Sequence, residues 1–80
     1  MDLARQLGES LRRLRGRAGL TQTEMARRLG TSQSTLARLE AADQNTTLRT
    51  LAQLCRALDC DIGALFRGHG RLRRRARARR

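Results

Sequence analysis

Proline, tryptophan and tyrosine are missing from this 80-residue chain, Phe66 is its only aromatic residue, and all 18 of its basic residues are arginine. Without proline and with few β-branched residues, the chain favours helices over sheet. One aromatic residue provides no platform on which unpaired bases stack, which argues against the usual single-stranded nucleic-acid modules. The core must instead be built from Leu and Ala stripes on packed helices. No apolar run reaches the ~18 residues of a membrane span, and the N-terminus has no apolar block resembling a signal peptide, so no membrane association is expected and the expected location is the cytoplasm. His69 is the only histidine and lies between two glycines. No acid, base and nucleophile converge on it, so an enzyme is not expected. Cys55 and Cys60 read as small buried hydrophobes. Together with His69 they would lack a fourth ligand and have no recognised spacing, so neither a metal nor another cofactor is expected.

Positive charge is abundant and unevenly distributed. The net charge is +11. Residues 71–80 contain seven Arg and no acid, whereas the preceding 70 residues balance eleven Arg against seven acids. A mildly basic folded part therefore precedes an intensely basic tail. This balance points to a polyanionic partner, nucleic acid ahead of an anionic membrane surface. Charges of one sign at this density do not fold without a partner, so residues 68–80 are expected to be a flexible, disordered basic tail following a domain over 1–67.

Five helices are predicted along that domain. Leu3, Leu7, Leu11, Leu14 and Ala18 recur at steps of three or four with Arg and Glu between them, an amphipathic pattern that stops at Gly19. Thr21 and Glu24 form a capping box, with Leu20 as its hydrophobic staple, opening a short helix that turns Met25, Ala26 and Leu29 inward and ends at Gly30. Ser32 caps a second short helix, Gln33 to about Glu40, with Leu36 and Leu39 inward. Residues 41–46 have no periodicity and read as a loop. Thr47 caps a fourth helix whose stripe is Leu48, Leu51, Ala52, Cys55 and Leu58. Asp61 caps a last short helix carrying Ile62, Leu65 and Phe66, and Gly68-His69-Gly70 reads as a hinge.

The pair of short helices around Gly30 carries most of the functional information. Helices joined by a turn of three or four residues cross steeply, and their backbones approach closely at the crossing. Ala26 is small enough for that approach, Gly30 accepts positive φ, and Leu36 fills the angle. The run Leu20-Thr-Gln-Thr-Glu-Met-Ala-Arg-Arg-Leu-Gly-Thr-Ser-Gln-Ser-Thr-Leu-Ala-Arg-Leu-Glu40 resembles the helix-turn-helix of the phage-repressor family (Cro/cI or XRE-type regulators). The likeness extends through Leu48–Leu58 and Asp61–Phe66 to cover residues 5 to about 67.

The resemblance implies an all-α, five-helix, lambda-repressor-like DNA-binding domain with its motif at about 21–40. It also implies that the second short helix lies in the major groove of double-stranded DNA, where Gln33, Ser34 and Arg38 read bases and Thr35 offers a methyl to thymine. Arg38 has an alternative, pairing with Glu40 or Asp43. The position matching Gln22 bonds a phosphate in the family and braces the reading glutamine, beside helix amides that favour anions. The loop departs from the family, which often has Gly and a basic residue where this chain has Ala41-Ala42-Asp43. Asp43 is expected to turn away from the backbone, leaving Gln44, Asn45 and Thr46 to bond phosphates. The tail arginines Arg71, Arg73, Arg74, Arg75, Arg77, Arg79 and Arg80 are expected to contact phosphates without reading sequence.

The expected function is a sequence-specific transcriptional regulator, a repressor acting as a homodimer on a two-fold operator. Ile62, Leu65 and Phe66 are the best apolar patch for pairing, unless Leu65 or Phe66 fills the core. One alternative is an antitoxin that binds a toxin protein and represses its own operon. The other is an RNA-binding or nucleoid protein acting through the arginine tail.

Overall fold

The structure, a computed structural model, describes residues 2–43 and 46–69. These form five helices: α1 Leu3–Ala18, α2 Gln22–Leu29, α3 Gln33–Glu40, α4 Leu48–Leu58 and α5 Ile62–Arg67. Helix α1 packs against α3 and α5, α2 packs against α3 and α4, and α4 packs against α5. One core of Leu7, Leu11, Leu14, Met25, Ala26, Leu29, Leu36, Leu39, Leu54, Leu58 and Leu65 lies between them. Among the described residues no helix is long and apolar enough to cross a membrane.

Local chemistry accounts for the helix boundaries. Asp2, Thr21, Ser32, Thr47 and Asp61 each accept an amide hydrogen bond at the start of a helix. At Thr21 the capping box is reciprocal: the Glu24 amide donates to Thr21 Oγ1 at 3.1 Å and the Thr21 amide to Glu24 Oε1 at 2.9 Å. Leu20 packs against the core beside it. Each helix is followed by a left-handed residue: Gly19, Gly30, Ala42, Asp59 and Gly68. After α2, Thr31 N donates to Ala26 O at 2.9 Å and Gly30 N to Arg27 O at 3.2 Å, which closes a Schellman turn. Gly30 has a φ of 75°, a conformation glycine adopts without steric strain.

Several inward positions differ from the sequence expectation. On α4, Leu48 is 82% exposed and Ala52 is also exposed, whereas Leu54 is buried. The α4 stripe is Leu51, Leu54, Cys55 and Leu58. Apolar residues occupy most of this helix's circumference, and packing between α2 and α5 selects the bulk of Leu54 over Ala52. The ends of the α1 stripe, Leu3 and Ala18, face solvent, while Gly8 and Ser10 are buried. At Gly8 the helices approach closely, since a Cβ there would stand 2.6 Å from Leu39 O and 2.7 Å from Glu40 O. Leu65 is fully buried in the core and so is lost to any apolar surface patch. Gly68 is no hinge: it is buried against α1, its amide bonds Leu65 O at 3.1 Å, and Arg17 donates to its carbonyl at 2.8 Å.

Candidate nucleic-acid interface

Two adjoining short helices form the site. Ser32 ends the turn after α2 in extended geometry, and its hydroxyl accepts the Thr35 amide at 3.1 Å. The same hydroxyl donates to Thr35 Oγ1 at 2.8 Å and lies 3.3 Å from Ser34 Oγ. Gln33, Ser34 and, one turn on, Arg38 are exposed on α3, and Thr35 is half-buried. Leu36 and Leu39 hold the opposite side of α3 in the core. Among the described residues Arg38 makes no ion pair, and Glu40, one of its two suggested partners, is engaged elsewhere.

A chain of hydrogen bonds runs inward from the surface of α3. Gln33 Nε2 donates to Gln22 Oε1 at 2.8 Å. Gln22 Nε2 donates to Glu40 Oε1 at 3.0 Å. Glu40, only 6% exposed, is held by Arg15, whose Nε reaches Oε2 at 2.8 Å and whose Nη2 reaches Oε1 at 3.0 Å. This bidentate, charge-assisted arrangement is the strong form of an Arg–carboxylate pair. The hydrogen bond to Glu40 raises the Arg15 pKa, and the carboxylate's charge adds to this, against the opposing effect of desolvation. Arg15 Nη1 also donates to Leu20 O at 3.2 Å, tying α1 to the segment that leads into α2.

The turn is braced from α4. Gln53 Nε2 donates to Gly30 O at 2.7 Å and to Leu29 O at 3.0 Å, taking up carbonyls at the end of α2 that have no partner within the helix. Exposed Arg27 and Arg28 lie in the last turn of α2. Thr46 is half-buried ahead of the Thr47 cap, and Asp43 is exposed. Gln44, Asn45 and the tail arginines Arg71, Arg73, Arg74, Arg75, Arg77, Arg79 and Arg80 lie outside the described residues.

The fold thus brings Gln22 and Gln33 into contact and leaves Gln33, Ser34 and Arg38 open on one helix. Sequence reasoning missed Arg15, Glu40 and Gln53 as supports. For Glu40 a signal existed: it sits one turn beyond inward-facing Leu36, and a carboxylate at a buried position requires a cation. Gln53 gave no comparable signal, because a glutamine on an amphipathic helix ordinarily faces water.

Burial raises the Cys60 thiol pKa, with Cys55 adding to the shift, consistent with an inert packing role. Both cysteines are free, and among the described residues no group of His, Cys, Asp and Glu is arranged to hold a metal ion.

The family model described as "Helix-turn-helix domain" matches residues 6–67. Two solved structures of similar fold are informative. The clp gene regulator ClgR from Corynebacterium glutamicum has a TM-score of 0.67 at 28% identity, with 84% of this chain and 87% of that chain covered. The restriction-modification controller protein C.AhdI from Aeromonas hydrophila has a TM-score of 0.66 at 31% identity, with 78% of this chain and 90% of that chain covered. No match to a curated protein was found.

Proposed function

This chain belongs to the helix-turn-helix domain family, in its phage-repressor (XRE-type) branch, and from that premise we propose that it is a transcriptional repressor that binds a two-fold DNA operator as a homodimer. The observation that carries the reading is the exposed trio Gln33, Ser34 and Arg38 on α3, with Gln33 already held by Gln22. In a major groove, Gln33 bonds adenine, Arg38 grips guanine and Ser34 serves either. Thr35 has its hydroxyl taken up by Ser32, which leaves its methyl for thymine. Gln22 and Thr46 bond phosphates, as do Gln44 and Asn45. The role is one of binding, with no chemistry performed on the DNA.

A single motif contacts one half-site, too short to be selective, so two copies are required, with half-sites about one DNA turn (~34 Å) apart. Among the described residues, Leu3, Leu48 and Ile62 are the exposed large apolar side chains available for pairing. The arginine tail adds affinity that does not depend on sequence.

In vitro selection of bound DNA tests the whole reading. A palindrome is expected, and recovery of unrelated sequences would refute it. Gln33→Ala should weaken the best site by about 1–3 kcal/mol and relax selection at one base pair. Sedimentation of Leu48→Glu should show loss of the dimer. Deleting residues 71–80 should weaken all sequences alike and flatten the salt slope by roughly two to four units, fewer than if every arginine engaged a phosphate.

A further inference from the structure

The amide of Gln33 has two faces, and which base it matches depends on which face is turned outward. An amide offering one N–H and its oxygen complements adenine, which presents N6–H as donor and N7 as acceptor. An amide offering two N–H groups complements guanine, whose N7 and O6 both accept. A glutamine free to rotate presents either.

Rotation is prevented from inside the protein. Held across both oxygens by Arg15, Glu40 is a carboxylate and can only accept. Gln22 must therefore turn its NH2 toward Glu40, which aims its oxygen at Gln33. That oxygen in turn accepts only an N–H, so Gln33 spends one of its two on Gln22. One N–H and one oxygen remain for the DNA, the adenine pattern. The negative charge of Glu40 is transmitted through two amides as a fixed hydrogen-bond polarity at the surface.

We infer that Glu40, buried and out of reach of DNA, is a positioning residue that sets the preference of Gln33 for adenine over guanine. The inference rests on Gln33 as a base reader and adds the origin of its selectivity. It also accounts for a charged pair where apolar packing would fill the space at least as stably.

Binding titrations compare the selected site with the same site carrying G·C at the A·T pair assigned to Gln33. Glu40→Gln removes the charge and lets residue 40 donate or accept, so the adenine preference should fall about tenfold. Gln22→Met cuts the chain but keeps the Arg15–Glu40 pair, and should give a similar fall even if Glu40→Gln proves too unstable to assay. Arg15→Lys weakens the pair but leaves the carboxylate; stability should drop while the adenine-to-guanine ratio holds. Two results overturn the inference. One is an unchanged ratio in Gln22→Met or in folded Glu40→Gln; the other is an Arg15→Lys variant that loses the ratio as fully as Glu40→Gln. Gln33→Ala separates this from failure of the underlying reading: equal losses on every sequence would mean that Gln33 reads no base, and both conclusions would fall.

Discussion

Helices α3 and α5 both rest their C-terminal ends on α1, yet they are held there by different means. The α5 end is secured by neutral carbonyls and one arginine: Ser10 donates to Leu65 O, Gln6 to Phe66 O and Arg17 to Gly68 O. Its left-handed residue is Gly68. The α3 end has the Arg15–Glu40 ion pair, the close backbone approach at Gly8 and a weak bond from Arg12 to Glu40 O at 3.4 Å. Its left-handed residue is Ala42, with a φ of 57°. The same closing bonds form at both ends, Asp43 N to Arg38 O at 2.9 Å and His69 N to Ala64 O at 2.8 Å. A six-residue helix has little stability of its own, so α5 depends on every donor and on a strain-free cap. Helix α3, pinned by a charged pair, tolerates a strained one.

The sharpest way to break this contrast is Gly8→Ala. The new methyl would collide with backbone oxygens that cannot move aside, so α3 should lift from α1 at a loss of about 3 kcal/mol, the upper end of overpacking effects. Urea unfolding measures it, and an unchanged midpoint would mean that close approach plays no part in holding α3. Ser10→Ala acts on the α5 side. It removes one of the two donors that the described residues give the Leu65 carbonyl, leaving only the Gly68 amide, and should cost about 1 kcal/mol in the same assay. A loss confined to a few tenths would show that water or another donor replaces Ser10.

Ala42→Gly tests the tolerated strain. Left-handed geometry disfavours a Cβ by roughly 1–2 kcal/mol, offset in part by the greater freedom of glycine in the unfolded chain, so a net gain of about 0.5–1 kcal/mol is expected from thermal melting. Gly68→Ala should do the reverse, and equal responses at the two positions would erase the contrast.

The smallest effect belongs to a helix start. The Thr21 amide, and then its hydroxyl, hold the Glu24 carboxyl below the usual glutamate range. A depressed folded pKa means that this contribution is complete above the unfolded value of about 4.3 and fades as pH falls through the lower folded one. Glu24→Gln should remove that part of the acid dependence by lowering stability slightly at neutral pH and leaving it unchanged in acid, as paired pH titrations of melting temperature would show.

The helix-turn-helix was the most legible part of the sequence. Thr21, Glu24, Gly30 and Ser32 punctuate it within a few residues, leaving Met25, Ala26, Leu29, Leu36 and Leu39 no alternative face, and all five are buried. Gln33, Ser34 and Arg38 then had to emerge on the other side. Helix α4 was less legible because Leu48, Leu51, Leu54, Cys55, Ala57 and Leu58 nearly encircle it, and local periodicity does not choose among overlapping stripes.

Helix boundaries, the turn and the outward residues of α3 follow from local sequence, because caps, glycines and apolar spacing act over three or four residues. Tertiary structure alone decided that Ser10 and Gly8 are buried, that Leu54 displaces Ala52, and that Arg15, Glu40, Gln22 and Gln33 join into one chain. Those contacts link residues 11 to 55 positions apart, and no local pattern encodes a partner that only the packing of α1, α2, α3 and α5 brings within hydrogen-bond reach.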